Sequence, residues 1–181
     1  TAECAEDRRP TGKTYGCDLT GDAVEACLLG TFDTRHVSML FPTHVVRAAG
    51  PWDTSIKVCA DRDAVLRAVE HASVVAIPHV VTYYRRHGAS VTRRSGADDG
   101  ARFGQRQVIE KYFERHPEQR RTPLHRAAWS TFHASWARRA WRQRSFPTFL
   151  RETAALARHD PRRVLGWTRR FSRRRGGPAS R

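Results

Sequence analysis

The charge of this chain changes abruptly near residue 100, and that step limits what the chain can fold into. Residues 1–100 carry 12 Lys and Arg against 13 Asp and Glu, whereas residues 101–181 carry 21 against 5. A near-neutral segment therefore precedes one that holds the whole excess of a +15 net charge. A length of 181 residues admits one domain with a sizeable core, or a small domain plus a helical appendage. A hydrophobic fraction of 39% favours a globular part joined to a polar one. The four cysteines (Cys4, Cys17, Cys27, Cys59) form no C-x-x-C pair, so neither a common zinc spacing nor a disulfide framework is expected. No apolar run approaches the ~20 residues that cross a bilayer, and Thr1 to Pro10 lacks a signal-peptide apolar core. The expectation is a cytoplasmic protein, peripheral at most to the inner face of the membrane.

Proline and glycine punctuate the chain. Residues 1–19 read as irregular or partly extended. Gly21 to Leu29 is a short helix closed by Gly30, and His36 to Phe41 is an apolar run that suits a strand. Pro42-Thr43 opens a second helix that Gly50 stops, and Pro51-Trp52-Asp53 turns the chain. A helix from about Asp61 to His71 follows, with Val65, Leu66 and Val69 on one side. Ser73–Ile77 and Val80–Tyr84 are β-branched runs split by Pro78-His79, hence two strands or one broken strand. Beyond a Gly/Ser/Arg loop at 86–100 the chain reads as helices: Asp98–His116, Pro123–Arg144, Pro147–His159 and Pro161–Arg174. Their aromatic residues, including Trp129, Phe132, Trp136, Trp141, Phe146, Phe149 and Phe171, are expected to pack inward.

Two constellations carry possible chemistry. Asp61 and Asp63 stand at i and i+2, so they do not share a helix face. Either both stabilise the helix dipole, or one points into a cleft while the other pairs with a neighbour such as Arg67. Downstream, Tyr84-Arg85-Arg86-His87 offers cationic groups suited to phosphate, although His87 also reads as a plain surface-loop histidine. An acidic pair and an Arg/His loop separated by one strand region can meet at one cleft.

In order and spacing these residues resemble the acceptor-side half of the family 2 glycosyltransferases. The resemblance rests on Gly50, Trp52 and Asp53; on Asp61, Asp63 and Arg67; and on Tyr84, Arg85, His87 and Ser90, and covers about residues 28–95. It implies an α/β architecture, an α+β fragment of a Rossmann-like A-type fold, followed by an α-helical C-terminal extension. The expected divisions are 1–97, a basic helical region at 98–175 and a disordered tail at 176–181. It implies an inverting transfer of sugar from a nucleotide-sugar donor to a hydroxyl of a glycan or lipid-linked acceptor. Asp61 would be the general base, Trp52, Asp53 and Asp63 would border the acceptor, and Arg85 and His87 would face the diphosphate. His87 is also the candidate metal contact. Two departures accompany the match. Ala60 stands where the family usually has Glu, and no Asp-x-Asp pair for Mg or Mn precedes the matching region. The resemblance thus implies the C-terminal portion of an enzyme from a truncated or split gene, whose N-terminal half and divalent metal belong to the complete form.

The basic region supports a different class of reading. Arg138, Arg139, Arg142 and Arg144, then Arg162, Arg163, Arg169, Arg170 and Arg173–Arg175, alternate with Trp136, Trp141, Trp167 and Phe171. Basic residues beside Trp at helical spacing suit an anionic membrane surface and, less well, nucleic acid. A solvated basic face on a structural bundle has the same composition. The alternative to the transferase is therefore a non-catalytic basic binding module.

Overall fold

The computed structural model describes residues 1–16, 18–32, 36–88 and 98–165. It is mixed α/β and mostly helical, with one three-stranded mixed sheet. Among the described residues no helix is long and apolar enough to cross a membrane. The chain divides into two compact units, Thr1–Glu114 and Arg115–Arg181. The expected boundary lies after residue 97. The structure instead groups the helix after it with the first unit, because Gly104 meets Val58 and Lys111 bonds Asp53. Ser90, Trp167, Phe171 and the expected tail at 176–181 lie outside the described residues.

The sheet of the first unit is ordered β2-β1-β3. Strand β1 (Ala2–Cys4) runs antiparallel to β2 (Pro10–Thr14) and parallel to β3 (Tyr83–Arg85). The N-terminus, read as irregular or partly extended, is a hairpin that supplies the central strand. Glu3 explains why. Buried in β1, it accepts hydrogen bonds from Tyr15 Oη, Thr11 Oγ1 (3.1 Å) and Arg86 Nη1 (3.2 Å). Those bonds, the Tyr15 one foremost, hold its pKa below the usual range.

Helices α1 (Val24–Leu29), α2 (Thr43–Ala49), α3 (Ala60–Val69) and α4 (Asp98–Arg115) complete the unit. The last carbonyls of a helix need partners, and α3 supplies them to two neighbours. Arg62 Nη2 donates to Cys27 O (2.6 Å) and Leu28 O (3.2 Å) at the end of α1. Arg67 Nη1 donates to Ala49 O and Gly50 O (3.3 Å) at the end of α2. Each guanidinium also places positive charge at a negative dipole end. The apolar side of α3 (Val65, Leu66, Ala68, Val69) is core.

Three expected strands are corrected. His36–Ser38 is a 3₁₀ turn and 39–42 is irregular, with Leu40 97% exposed. Apolar composition suggests a strand there, but among the described residues no strand offers it a ladder. Of Ser73–Ile77 only Val74 pairs, as a single bridge with Gly21. The Val80–Tyr84 run shrinks to Tyr83–Arg85, because β1 spans only three residues and can pair no more.

In the second unit a 3₁₀ turn (Pro117–Arg121) leads into α5 (Pro123–Arg142), which packs along α6 (Phe146–His159). Ala128, Ala134, Ala137 and Ala140 are buried on α5 with Phe132 and Trp136, and α6 buries Leu156 and Glu152. Small alanine side chains let helix backbones approach closely. Helical backbone resumes at 161–165, and Arg163 Nη1 ties it to α5 through Ser130 Oγ (3.2 Å) and Thr131 Oγ1 (3.0 Å). Two aromatic residues expected inside are outside: Trp141 is 45% and Phe146 57% exposed. They lie at the α5–α6 turn, past the end of the alanine-lined contact.

A ring stack joins the two helices. Trp129 lies at 25° to His133 and at 19° to His159, and the two imidazole centroids are 5.6 Å apart. His133 Nδ1 is 2.8 Å from Oε2 of the fully buried Glu152. Burial lowers the pKa of His159, and the neighbouring His133, His125 and Arg158 lower it further. Burial, then Arg120, lowers that of His125. A depressed histidine pKa means that the folded state disfavours the proton that the unfolded chain takes up. The stabilisation is therefore full above the unfolded value of 6.5 and is lost as pH falls through the folded value. The thermal midpoint should drop between about pH 7.5 and pH 5.5. In His159→Gln that drop should shrink, which scanning calorimetry at the two pH values measures.

Candidate active site

The candidate site begins with backbone. Cys59 precedes α3 in the left-handed region (φ 71°), a conformation that costs a non-glycine residue about 1 kcal/mol. It turns the chain so that Asp61 emerges on the first helical turn. The Cys59 thiol itself is not the reactive group. It approaches Ala101 O at 3.8 Å, and burial, with the nearby Asp61 charge, pushes its pKa up to about 11. It stays protonated near neutral pH.

Asp61 Oδ1 accepts the Arg62 backbone N–H (2.8 Å), and Oδ2 lies 3.7 Å from His36 Nδ1. The side chains of Asp61 and His36 are each 46% exposed. Trp52, also exposed, stands edge-on to His36 with ring centroids 5.8 Å apart and planes at 77°. An open carboxylate, an imidazole and an indole thus share one surface at the start of α3. Such a set can accept a hydroxyl proton while the aromatic rings offer an apolar body and a polar edge.

The other two acids are engaged in structural roles. Asp63 is buried, with Oδ2 bonded to Arg67 Nε at 2.9 Å, so it faces the α2 end and not a cleft. Through Arg67 it fixes Gly50 and the turn that carries Trp52. Asp53, assigned to the acceptor by resemblance, accepts from Lys111 Nζ, Ser55 Oγ (2.6 Å) and Ser55 N (2.9 Å). These bonds, that of Lys111 first, hold its pKa well below the ordinary carboxylate range. It anchors the Trp52 turn to α4.

Arg85 is exposed at the end of β3 and His87 is half-buried two residues later. Neither forms a hydrogen bond or ion pair with Asp61 among the described residues. Arg86, the other candidate phosphate group, is bonded to Glu3. The 3₁₀ turn links the two regions. His36 lies against Asp61, while the next carbonyl, Val37 O, accepts from Thr82 Oγ1 at 3.0 Å just before β3. Beside that turn opens a largely apolar cavity of about 580 Å³, walled by Val37, Met39, Phe41, Val69, Val75 and Val81 among others. Asp61, Arg85 and His87 are not among its walls.

Trp52 and Asp61 are therefore brought together, through His36. Sequence reasoning passed over His36 and Lys111. His36 precedes the Val-Ser-Met-Leu-Phe run inside the matching region, a signal that could have been followed. Lys111 lies 58 residues from its partner Asp53, with no local signal. Among the described residues no three His, Cys, Asp or Glu side chains are grouped to hold a metal ion. No family model, curated protein or solved structure matches the chain.

Proposed function

We propose that the first unit is the acceptor side of an inverting, family 2-like glycosyltransferase with an A-type fold. Asp61 removes the proton from an acceptor hydroxyl as that oxygen attacks the anomeric carbon of a nucleotide sugar. The observation that carries the reading is the half-exposed Asp61 carboxylate beside His36 and Trp52, set apart from the structurally committed Asp53 and Asp63. A general base must reach the proton it takes, and of the three acids Asp61 is the most exposed and the one not tied to a Lys or Arg. His36 orients the carboxylate and Trp52 offers a flat face to the sugar acceptor. Arg85, exposed on β3, is the group available to a diphosphate.

The test is sugar transfer from a panel of nucleotide sugars to hydroxyl acceptors, with the chain in the form that its gene encodes. Asp61→Asn should lower the rate by about 10²–10⁴-fold, the usual contribution of a positioned base, with unfolding unchanged. Full activity in that variant would remove the assignment. A second reading, a basic binding module, draws on one observation: residues 119–151 hold eight arginines and not one carboxylate.

A further inference from the structure

That acid-free stretch ends in a surface that sequence periodicity did not anticipate. At the turn between α5 and α6, Trp141 is 45%, Phe146 57% and Leu150 66% exposed. Phe146 and Leu150 stand at i and i+4 and share one face of α6. Trp141 contacts Phe146 edge-on at 6.0 Å and Phe149 at 5.1 Å, so the three aromatic rings form one cluster. Exposed Arg138, Arg139, Arg142, Arg144 and Arg151 surround it in sequence, and Arg139 lies over the Trp136 ring at 5.4 Å. Exposed Trp, Phe and Leu cost free energy in water, and a contiguous patch of them marks a contact surface.

We infer that the α5–α6 tip is a docking surface for an anionic phospholipid bilayer. The aromatic and aliphatic side chains enter the headgroup–acyl boundary, and the arginines bind lipid phosphates around them. Charge complementarity selects this occupant. A second copy would bring two arginine clusters together with no carboxylate between Gln119 and Arg151 to offset them. Nucleic acid would satisfy the arginines and could stack on Trp141, but it gives Leu150 no π-face partner. A bilayer satisfies both halves of the surface. This inference is independent of the transferase reading, since it uses no residue of the first unit.

The experiment is co-sedimentation of the full chain with phosphatidylcholine vesicles, with and without phosphatidylglycerol. Binding should require the anionic lipid and weaken with added salt. Arg138→Gln and Arg142→Gln should each lower partitioning roughly five-fold at low salt. Phe146→Ser with Leu150→Ser should lower it at least as much, with circular dichroism unchanged because both side chains are exposed. Vesicles should also shift tryptophan emission to the blue in the native chain and not in Trp141→Phe, a readout that does not depend on the serine variants folding. Binding untouched by the two serine substitutions, or a blue shift that survives Trp141→Phe, would overturn the inference. So would RNA or DNA that displaces the chain from vesicles and binds the serine variants normally.

Discussion

Asp63→Ala is expected to destabilise the first unit by about 3–5 kcal/mol, the range for breaking a buried ion pair from one side. The Asp63 side chain is 1% exposed and its Oδ2 is the carboxylate partner of Arg67 Nε. Removing it leaves a guanidinium in the interior with only carbonyl oxygens at the end of α2 to balance its charge. The pair is already imperfect, since among the described residues the buried Asp63 Oδ1 and Arg67 Nη2 have no hydrogen-bond partner. Its value is therefore in position more than in net stability. Arg67 pins Gly50, and Gly50 begins the turn that presents Trp52 to Asp61. Replacing both partners by apolar residues, Asp63→Leu with Arg67→Met, should recover much of the lost stability. It should not recover Trp52 placement. Urea denaturation measures the first effect, and Trp52 fluorescence in the folded state reports the second. A single substitution that unfolds at the native urea concentration would contradict the argument.

The second large effect concerns a glycine where helix propensity points the other way. Gly104 lies inside α4, where alanine ordinarily stabilises a helix by about 1 kcal/mol. A Cβ built there overlaps the carbonyl oxygen of Val58 and comes within 2.8 Å of its carbon. That neighbour is backbone and cannot rotate away. Gly104→Ala should therefore force α4 off the 58–59 segment and cost roughly 3 kcal/mol, the upper part of the overpacking range. The consequence reaches the candidate site, because Cys59 begins the turn into Asp61 and approaches Ala101 O of the same helix. A lowered unfolding midpoint with unchanged helix content is the expected result. A raised midpoint would mean that propensity prevails and the close approach does not exist.

Helix α3 holds the ends of α1 and α2 through Arg62 and Arg67 and leaves Asp61 open at its start. Asp61→Asn tests the chemistry, whereas Asp63→Ala and Gly104→Ala test the support beneath it. Loss of transfer in the first with stability retained, and loss of stability in the other two, would separate the roles.

Much of the helical framework was legible in the residues themselves. Pro42 and Gly50 bracket α2, Pro123 opens α5, and the acids of α3 stand in its first turn. These signals act over one helical turn, through dihedral limits and unpaired end groups, and so need no knowledge of the rest of the chain. Strands were less legible, because β1 exists only where Glu3 meets Thr11, Tyr15 and Arg86, up to 83 residues away. The two acids of α3 were distinguished in the sequence only by the resemblance, which points to Asp61, and by Arg67 standing four residues after Asp63. Asp61 and Asp63 differ by two positions, about 200° around a helix. Helix spacing puts Arg67 on the Asp63 side, but that His36 stands beside Asp61 depends on the packing of the distant His36 turn. Local chemistry sets where a helix starts and stops; burial, set by distant segments, decides which of its side chains remains available to react.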